Sequence, residues 1–414
     1  MDNTMSVRPV QSDSLGTILV PLLALVIFIN YVDRGSLAIT APLIRDQLHF
    51  SSTQIGILLS SFFWTYVPAQ ILSGWLSERV SPCRILALGL ALWSVATIGL
   101  GFANEFAGFL LFRILLGIGE SAAFPCSGKL LASHVAPQQL GKANGLISVG
   151  MGVGPAFGSL VGGLLLAHSG WRAVYVLFGA ASLLWLLPWR HASRLVAAQA
   201  LTKAKLVSPP LQRVARSRDL WGAVLGHFCM NYAFYFILSW LPLYLVKERG
   251  LSIEAMARTG GTVFLVFAAS GLFTGMMTDR LIQSGQSINR VRKTFVVSAH
   301  ALIAVCLVLT GLGSLTVALA SLLVAGVALG LGMPNVYAIG QTLAGPRAAG
   351  KWMGIQNSLA NCAGIIAPVV TGSIVDRTGN YSLAFFIAAA VALIGMVGWG
   401  LVVRKVETTD WKIS

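Results

Sequence analysis

Twelve apolar runs, each about twenty residues long, follow one another along this chain and leave it few ways to fold. They cover 16–37, 53–77, 84–103, 106–130, 141–166, 171–190, 219–246, 257–279, 293–312, 315–343, 350–374 and 381–403. At about 1.5 Å per residue, a helix of this length crosses a hydrocarbon core of about 30 Å. Backbone inside lipid must satisfy its own hydrogen bonds, so only helices and closed barrels span it. Barrel strands alternate over about ten residues; these runs are unbroken. Only 10% of side chains are charged and 56% are hydrophobic. Soluble domains carry roughly 25% charge, and disordered chains are far less apolar. The expected fold is therefore an all-α membrane protein with twelve transmembrane helices in two six-helix pseudo-symmetric halves.

The one long polar stretch, 191–218, divides the runs six and six. It carries Arg194, Lys203, Lys205, Arg213, Arg216 and Arg218 with no acid until Asp219, and Pro209 and Pro210 oppose a continuous helix. Residues 1–190 and 219–414 are then the two halves. Cations concentrate in the loops after even-numbered runs, at Arg79 and Arg84, His134 and Lys142, the linker, Arg280 through Lys293, and Arg347 with Lys351. By the positive-inside rule these loops, and both termini, are cytoplasmic. The net charge of +15 is thus read as topology, with the lipid bilayer and not nucleic acid as partner. The first fifteen or so residues are polar and show no cleavable signal pattern.

The halves repeat one another. Gly141-Lys142-x-x-Gly145 returns as Gly350-Lys351-x-x-Gly354, an offset of 209 that Pro125 and Pro334 share. Gly74 through Glu78-Arg79 is echoed by Gly275 through Asp279-Arg280. Parallel repeats of this kind build transporters whose halves rock about a midplane site. Glu78, Arg79, Asp279 and Arg280 are read as a gate latch, with the acids near helix N-termini. Gly150, Gly154, Gly158 and Gly162 recur every fourth residue, a smooth face for close packing and a candidate rocking surface.

Four ionisable residues lie deep in the runs: Asp33 and Arg34 in the first, Arg113 and Glu120 in the fourth. Each costs about 2.5–3.5 kcal/mol at mid-bilayer. Together they would match a domain's whole stability of about 5–15 kcal/mol, so they must pair or face water. Arg113 and Glu120, seven apart, share a helix face; Asp33 and Arg34 point about 100° apart. One reading is a buried ion network holding two helices. Against it, the positions offset by 209 from Arg113 and Glu120 are Leu322 and Leu329, so no second copy exists. The functional reading is a small organic anion on an arginine, which stays charged and grips a carboxylate in a fork. Asp33 and Glu120 take up protons, with Arg113 beside them.

Polar and aromatic residues complete a candidate cavity: Tyr66 in the second run, His227, Asn231, Tyr232 and Tyr235 in the seventh, Asn335 and Tyr337 in the tenth, Gln356, Asn357 and Asn361 in the eleventh. Amides of this kind suit a polyhydroxylated ligand; interhelical hydrogen bonding is the other use for them. The five cysteines form no CxxC, and no metal-ligand cluster, Walker motif or catalytic Ser/His/Asp set is present. No cofactor is expected beyond protons as the coupling ion, and no enzyme activity.

Over nearly its full length the chain resembles the major facilitator superfamily; residues 74–84 are similar to that superfamily's G-x-L-x-D-R-x-G-R/K signature, with Glu78 for Asp and Ser81-Pro82 for Gly-Arg. Asn30-Tyr31-Val32-Asp33-Arg34, Arg113-x-x-x-Gly117-x-x-Glu120-x-x-x-x-Pro125 and Tyr235-Phe-Ile-Leu-Ser-Trp240-Leu-Pro242 resemble the anion:cation symporter family, which includes bacterial carriers of sugar acids. The resemblance implies proton-coupled uptake of an organic anion such as a hexonate or hexuronate. It implies Asp33 and Glu120 as the protonatable pair, Arg34 and Arg113 as their charge partners, and Arg34 meeting the substrate carboxylate near Tyr66. Tyr337, Asn357 and His227 stand where galactonate-type carriers use tryptophan, asparagine and glutamine. A monomer in a bacterial inner membrane is expected. A proton-independent exchanger is the competing reading, though it would not need buried acids.

Overall fold

The protein's structure, a computed structural model, describes residues 12–202 and 207–411; Lys203 and Lys205 of the linker lie outside them. The described residues contain helices and no strand. In order these are α1 (Ser12–Leu48), α2 (Ser52–Leu76), α3 (Pro82–Phe102), α4 (Phe106–Glu120), α5 (Ala123–His134), α6 (Leu140–Leu184) and α7 (Leu186–Thr202). Then come α8 (Leu211–Ala215), α9 (Arg218–Leu243), α10 (Ile253–Gln283), α11 (Ile288–Leu312), α12 (Leu315–Asn361), α13 (Ala363–Thr378) and α14 (Ser382–Val397).

Among the described residues ten segments are long and apolar enough to span a membrane, and two of them, of 63 and 64 residues, are long enough to do so twice. A 45-residue helix such as α6 would reach about 68 Å if straight, more than twice the hydrocarbon thickness. Instead the chain leaves helical geometry at Gly170 (φ 75°, ψ 174°) in α6 and Gly345 (φ 60°, ψ 177°) in α12. Each glycine reverses the chain, and the ten segments make twelve passes. Helices α4 and α5 form one pass, interrupted at Ser121–Ala122; the end of α12 and α13 form another, interrupted at Cys362. The interruptions directly follow Glu120 and Asn361. The sixth pass continues as α7 to Thr202, so the first part of the linker is helical; the break expected from the prolines is present, and Pro210 precedes α8.

Large apolar side chains such as Leu88, Phe102, Leu187 and Leu401 are exposed on the outer surface, as suits a hydrocarbon solvent. Glycines set the closest helix contacts. Gly150 and Gly154 lie against α1, where an added Cβ would come within 2.7 Å of the Ala24 carbonyl and of Tyr31 Cβ. The four-glycine stripe therefore fixes α1 to α6 inside one half and is not the rocking surface. The halves meet instead where Gly141 and Gly145 of α6 face Gly271 and Gly275 of α10, and where Gly350 and Gly354 of α12 face Gln70 and Gly74 of α2.

Gly345 allows a test of the second reversal. A Cβ there would sit 2.5 Å from Thr408 Cγ2, whereas Gly379, also left-handed at φ 64°, has open space around it. An L side chain in this region costs roughly 1–2 kcal/mol. Gly345→Ala should therefore lower the melting temperature well beyond Gly379→Ala; equal shifts would show that the Thr408 contact is unimportant.

Candidate functional site

Arg34 of α1 contacts both halves of the molecule. Its Nε and Nη2 donate to Glu120 Oε2 at 3.3 and 3.0 Å, and Nη2 also donates to Asn30 Oδ1 at 2.9 Å. Nη1 reaches Tyr235 Oη of the other half at 3.5 Å. The rings of Tyr31, Phe62 and Tyr66 surround the guanidinium at 5.0, 4.9 and 4.6 Å. Glu120 is fully buried and Arg34 keeps 11% of its side chain exposed. Aromatic faces favour a cation at this range, and the low-dielectric surroundings strengthen the ion pair while making either charge alone costly.

The other half supplies an amide and hydroxyl network. Tyr235 donates to Asn361 Oδ1 at 2.7 Å, Asn361 donates to the Asn357 carbonyl at 2.7 Å, and Asn357 Nδ2 donates to Gln70 Oε1 of α2. Tyr337 reaches Asn357 Oδ1 at 3.5 Å and stacks on Phe124 with ring centroids 5.4 Å apart. Trp352 donates to Gln356 Oε1 at 2.8 Å, and Gln356 Nε2 lies 3.3 Å from His227 Nδ1. His227 Nε2, Tyr66 Oη and Glu120 Oε1 are buried without a hydrogen-bond partner. These are polar atoms that a polar ligand could satisfy.

Not every expected residue joins this cluster. Asp33 turns away: its Oδ2 accepts from Ser182 of α6 at 3.0 Å, and no arginine reaches it. Arg113 donates to the Leu58 and Leu59 carbonyls at 3.0 and 3.3 Å and lies over Phe62 at 5.2 Å, without a carboxylate partner. The two acids and two arginines thus form one ion pair and two separately held groups. Asn231 and Tyr232 are buried on α9, outside the Arg34 hydrogen bonds. Asn335 accepts from Arg292 at 3.4 Å and not from Arg34. Gln70, Phe62, Phe124 and Trp352 were not anticipated. Gln70 follows Tyr66 by four residues and so shares its helix face, a signal that could have found it.

Exposure differs on the two sides of the cluster. Along α1, Arg34 is followed by exposed Ala38 and Pro42; along α9, Tyr235 is followed by exposed Ser239 and Pro242. Towards the linker, Asn30, His227, Asn231 and Gln356 are all buried. That face is closed by two matching contacts. Glu78 Oε1 accepts from Gly350 N at 2.7 Å, and its Oε2 pairs with Lys129. Asp279 accepts from Gly141 N at 2.9 Å and Lys142 N at 2.6 Å, and pairs with buried Arg292 at 3.1 Å. Each acid caps a helix start in the opposite half. The basic members are Lys129 and Arg292; Arg79 stacks on Trp75 at 3.9 Å, and Arg280 is exposed. Arg292 is not a loop cation: it lies in α11, buried as the counter-ion of Asp279.

A family model described as Major Facilitator Superfamily matches residues 23–364 and 288–413. The chain belongs to the major facilitator superfamily. It is 31% identical over 398 residues to the hexuronate transporter of Bacillus subtilis strain 168, covering 92% of each chain. It is 28% identical over 395 residues to a protein of Escherichia coli K12 named "Probable L-galactonate transporter", covering 91% of this chain and 87% of that one. Among solved structures, the facilitator FucP in its outward conformation aligns with a TM-score of 0.71 at 17% identity, covering 93% of this chain and 99% of that one. The proton:xylose symporter XylE aligns at 0.74 and 15%, covering 96% and 98%. These facilitators share the fold. This facilitator is a multi-pass membrane transporter and not an enzyme.

Proposed function

We propose that this transporter takes up a sugar acid, a hexuronate or hexonate, together with protons. The observation that carries the reading is the Arg34–Glu120 pair, buried between the halves with hydroxyl and amide groups around it. The positive-inside rule puts the linker face in the cytoplasm, together with both termini, and the bacterial relatives favour an inner membrane. The opposite face is then external, and residues 1–190 and 219–414 are the halves that rock.

Glu120 occupies the Nε–Nη2 edge of Arg34. A proton on Glu120 removes its charge and frees that edge for a substrate carboxylate, which an arginine grips in two parallel hydrogen bonds. Tyr235, Asn357, Asn361 and Gln70 then face the substrate hydroxyls. Asp33, beside Arg34 in sequence and held by Ser182, is the second proton site. Two protons with a monoanion carry one net positive charge inward, which the membrane potential assists by about 2.3 kcal/mol per 100 mV.

The reading is tested by thermal stabilisation of the purified protein with sugar acids, aromatic acids, dicarboxylates and sugar phosphates at acidic and neutral pH. A ligand that binds the folded state raises the melting temperature by mass action. Hexuronates or hexonates should stabilise most, and more at acidic pH. Stabilisation confined to phosphorylated compounds and indifferent to pH would favour a proton-independent exchanger. Asn357→Ala removes the amide between Gln70 and Tyr337 and should weaken the hydroxylated acid by about tenfold, the value of one hydrogen bond. Unchanged affinity would place the hydroxyls elsewhere.

A further inference from the structure

A shallow cleft of about 560 Å³ lies on the linker face between α8 and the segment that follows α14. Arg213, Arg216, Arg218 and Arg404 line it, with Thr409 and Asp410. Arg218 donates to the Leu401 carbonyl at 3.3 Å, and Arg404 pairs with Asp219 at 3.0 Å. Two of the guanidiniums are thus fixed in place. Arg216 is exposed, and among the described residues Asp410 is the acid that lines the cleft beside the four guanidiniums. The first turn of α9 also borders the cleft, since Ser217 lines it without capping the helix with its side chain. Asp219, in that first turn, is taken up by Arg404 through both its backbone N–H and its guanidinium.

The position of the cleft selects its occupant. Trp221, half exposed, donates through Nε1 to the Ala215 carbonyl of α8 at 2.7 Å. Leu401, among the most exposed apolar residues of the outer surface, neighbours Arg218. An exposed tryptophan beside an exposed leucine marks the level where hydrocarbon gives way to headgroups. Basic pockets at this depth suit anionic headgroups. We propose that the cleft binds the phosphodiester headgroup of an anionic phospholipid.

One wall of the cleft is tied to the second chain reversal. Thr409 N donates to the Leu343 carbonyl at 2.9 Å, and Trp411, buried against Trp352, donates to the Ala344 carbonyl at 2.8 Å. A bound headgroup would therefore steady the segment that flanks Gly345 and the closed linker face beside it.

The test compares the protein with Arg213→Gln/Arg216→Gln in nanodiscs of phosphatidylcholine, with and without phosphatidylglycerol. Each basic side chain near an anionic surface strengthens attachment by roughly fivefold. The double variant should then retain phosphatidylglycerol about 25-fold less well in native mass spectrometry. It should lose the melting-temperature gain that this lipid gives the parent, with its melting temperature in phosphatidylcholine alone unchanged. If the double variant is unstable there, Arg216→Gln alone should show the fivefold loss. Equal lipid retention by parent and variant would overturn the site. A matching gain from inorganic phosphate in detergent, with none from the lipid, would overturn the assignment to a membrane headgroup.

Discussion

Proteoliposomes carrying Glu120→Gln are expected to exchange substrate across the membrane and yet accumulate none of it. Glutamine keeps the side chain's length and a carbonyl oxygen that Arg34 can hold, but it cannot release that arginine in response to a proton. With coupling intact, a gradient of one pH unit supports about tenfold accumulation per proton. The variant should bring internal and external substrate only to equality, while isotope counterflow continues. Pairing this variant with Asp33→Asn separates the two acids. Asp33 has Ser182 and no arginine as partner, so its loss should lower accumulation and leave binding near normal. Undiminished accumulation by Asp33→Asn would remove it from the coupling scheme; full accumulation by Glu120→Gln would do the same for the central pair. Arg34→Lys keeps the charge and loses the fork. Leaving Glu120 without its two-bond partner in a buried site costs a few kcal/mol, and uptake should fall by more than a hundredfold.

The residues at the centre of this test were legible in the sequence because charge in an apolar run is rare and costly. Which charges pair was not. Arg113 and Glu120 share a helix face by their spacing, yet Arg113 finds backbone carbonyls on α2, and no side-chain pattern announces a carbonyl acceptor. Arg34 and Asp33 diverge as adjacent helical positions must, but only the packing shows that Arg34 faces the other half and Asp33 faces Ser182. The number of passes was clear from run length. The four-glycine stripe of α6 was recognised as a packing face, while its partner was not, since a glycine carries no side chain to indicate what lies against it. The latch followed the same rule: acids at a repeated position were visible, and their basic partners, Lys129 and Arg292, come from other helices.

That latch makes the other large effect. Glu78→Gln/Asp279→Asn is expected to open the linker face and shift the protein to its opposite conformation. Each acid caps a helix start in the opposite half, a contact worth about 0.5–2 kcal/mol. Each also neutralises a cation of its own half that donates to a carbonyl of the other, Lys129 to Pro346 and Arg292 to Pro137, so its loss leaves an unpaired charge in the closed face, which costs up to about 3–5 kcal/mol. Part of that cost survives in the open state, where the cations gain water. If about 3 kcal/mol of each latch is lost on opening, the two together reach the ~5.5 kcal/mol that inverts a 99:1 equilibrium. Spin labels on cysteines placed at Arg79 and Arg280, exposed at the ends of α2 and α10, would report a longer separation in the variant. Gly350→Ala reaches the same state without removing a charge. Its Cβ would lie 2.8 Å from the Gly74 carbonyl and 3.0 Å from Glu78 Oε1, so the faces cannot close. Unchanged label distances in both variants would mean that the latch does not hold the linker face shut. A shift in Gly350→Ala alone would assign closure to helix contact and leave the two acids only their cations. Because the latches are copies at repeated positions, either acid substitution alone should move the equilibrium by about half as much in free energy. That graded response separates a two-point clasp from a single hinge.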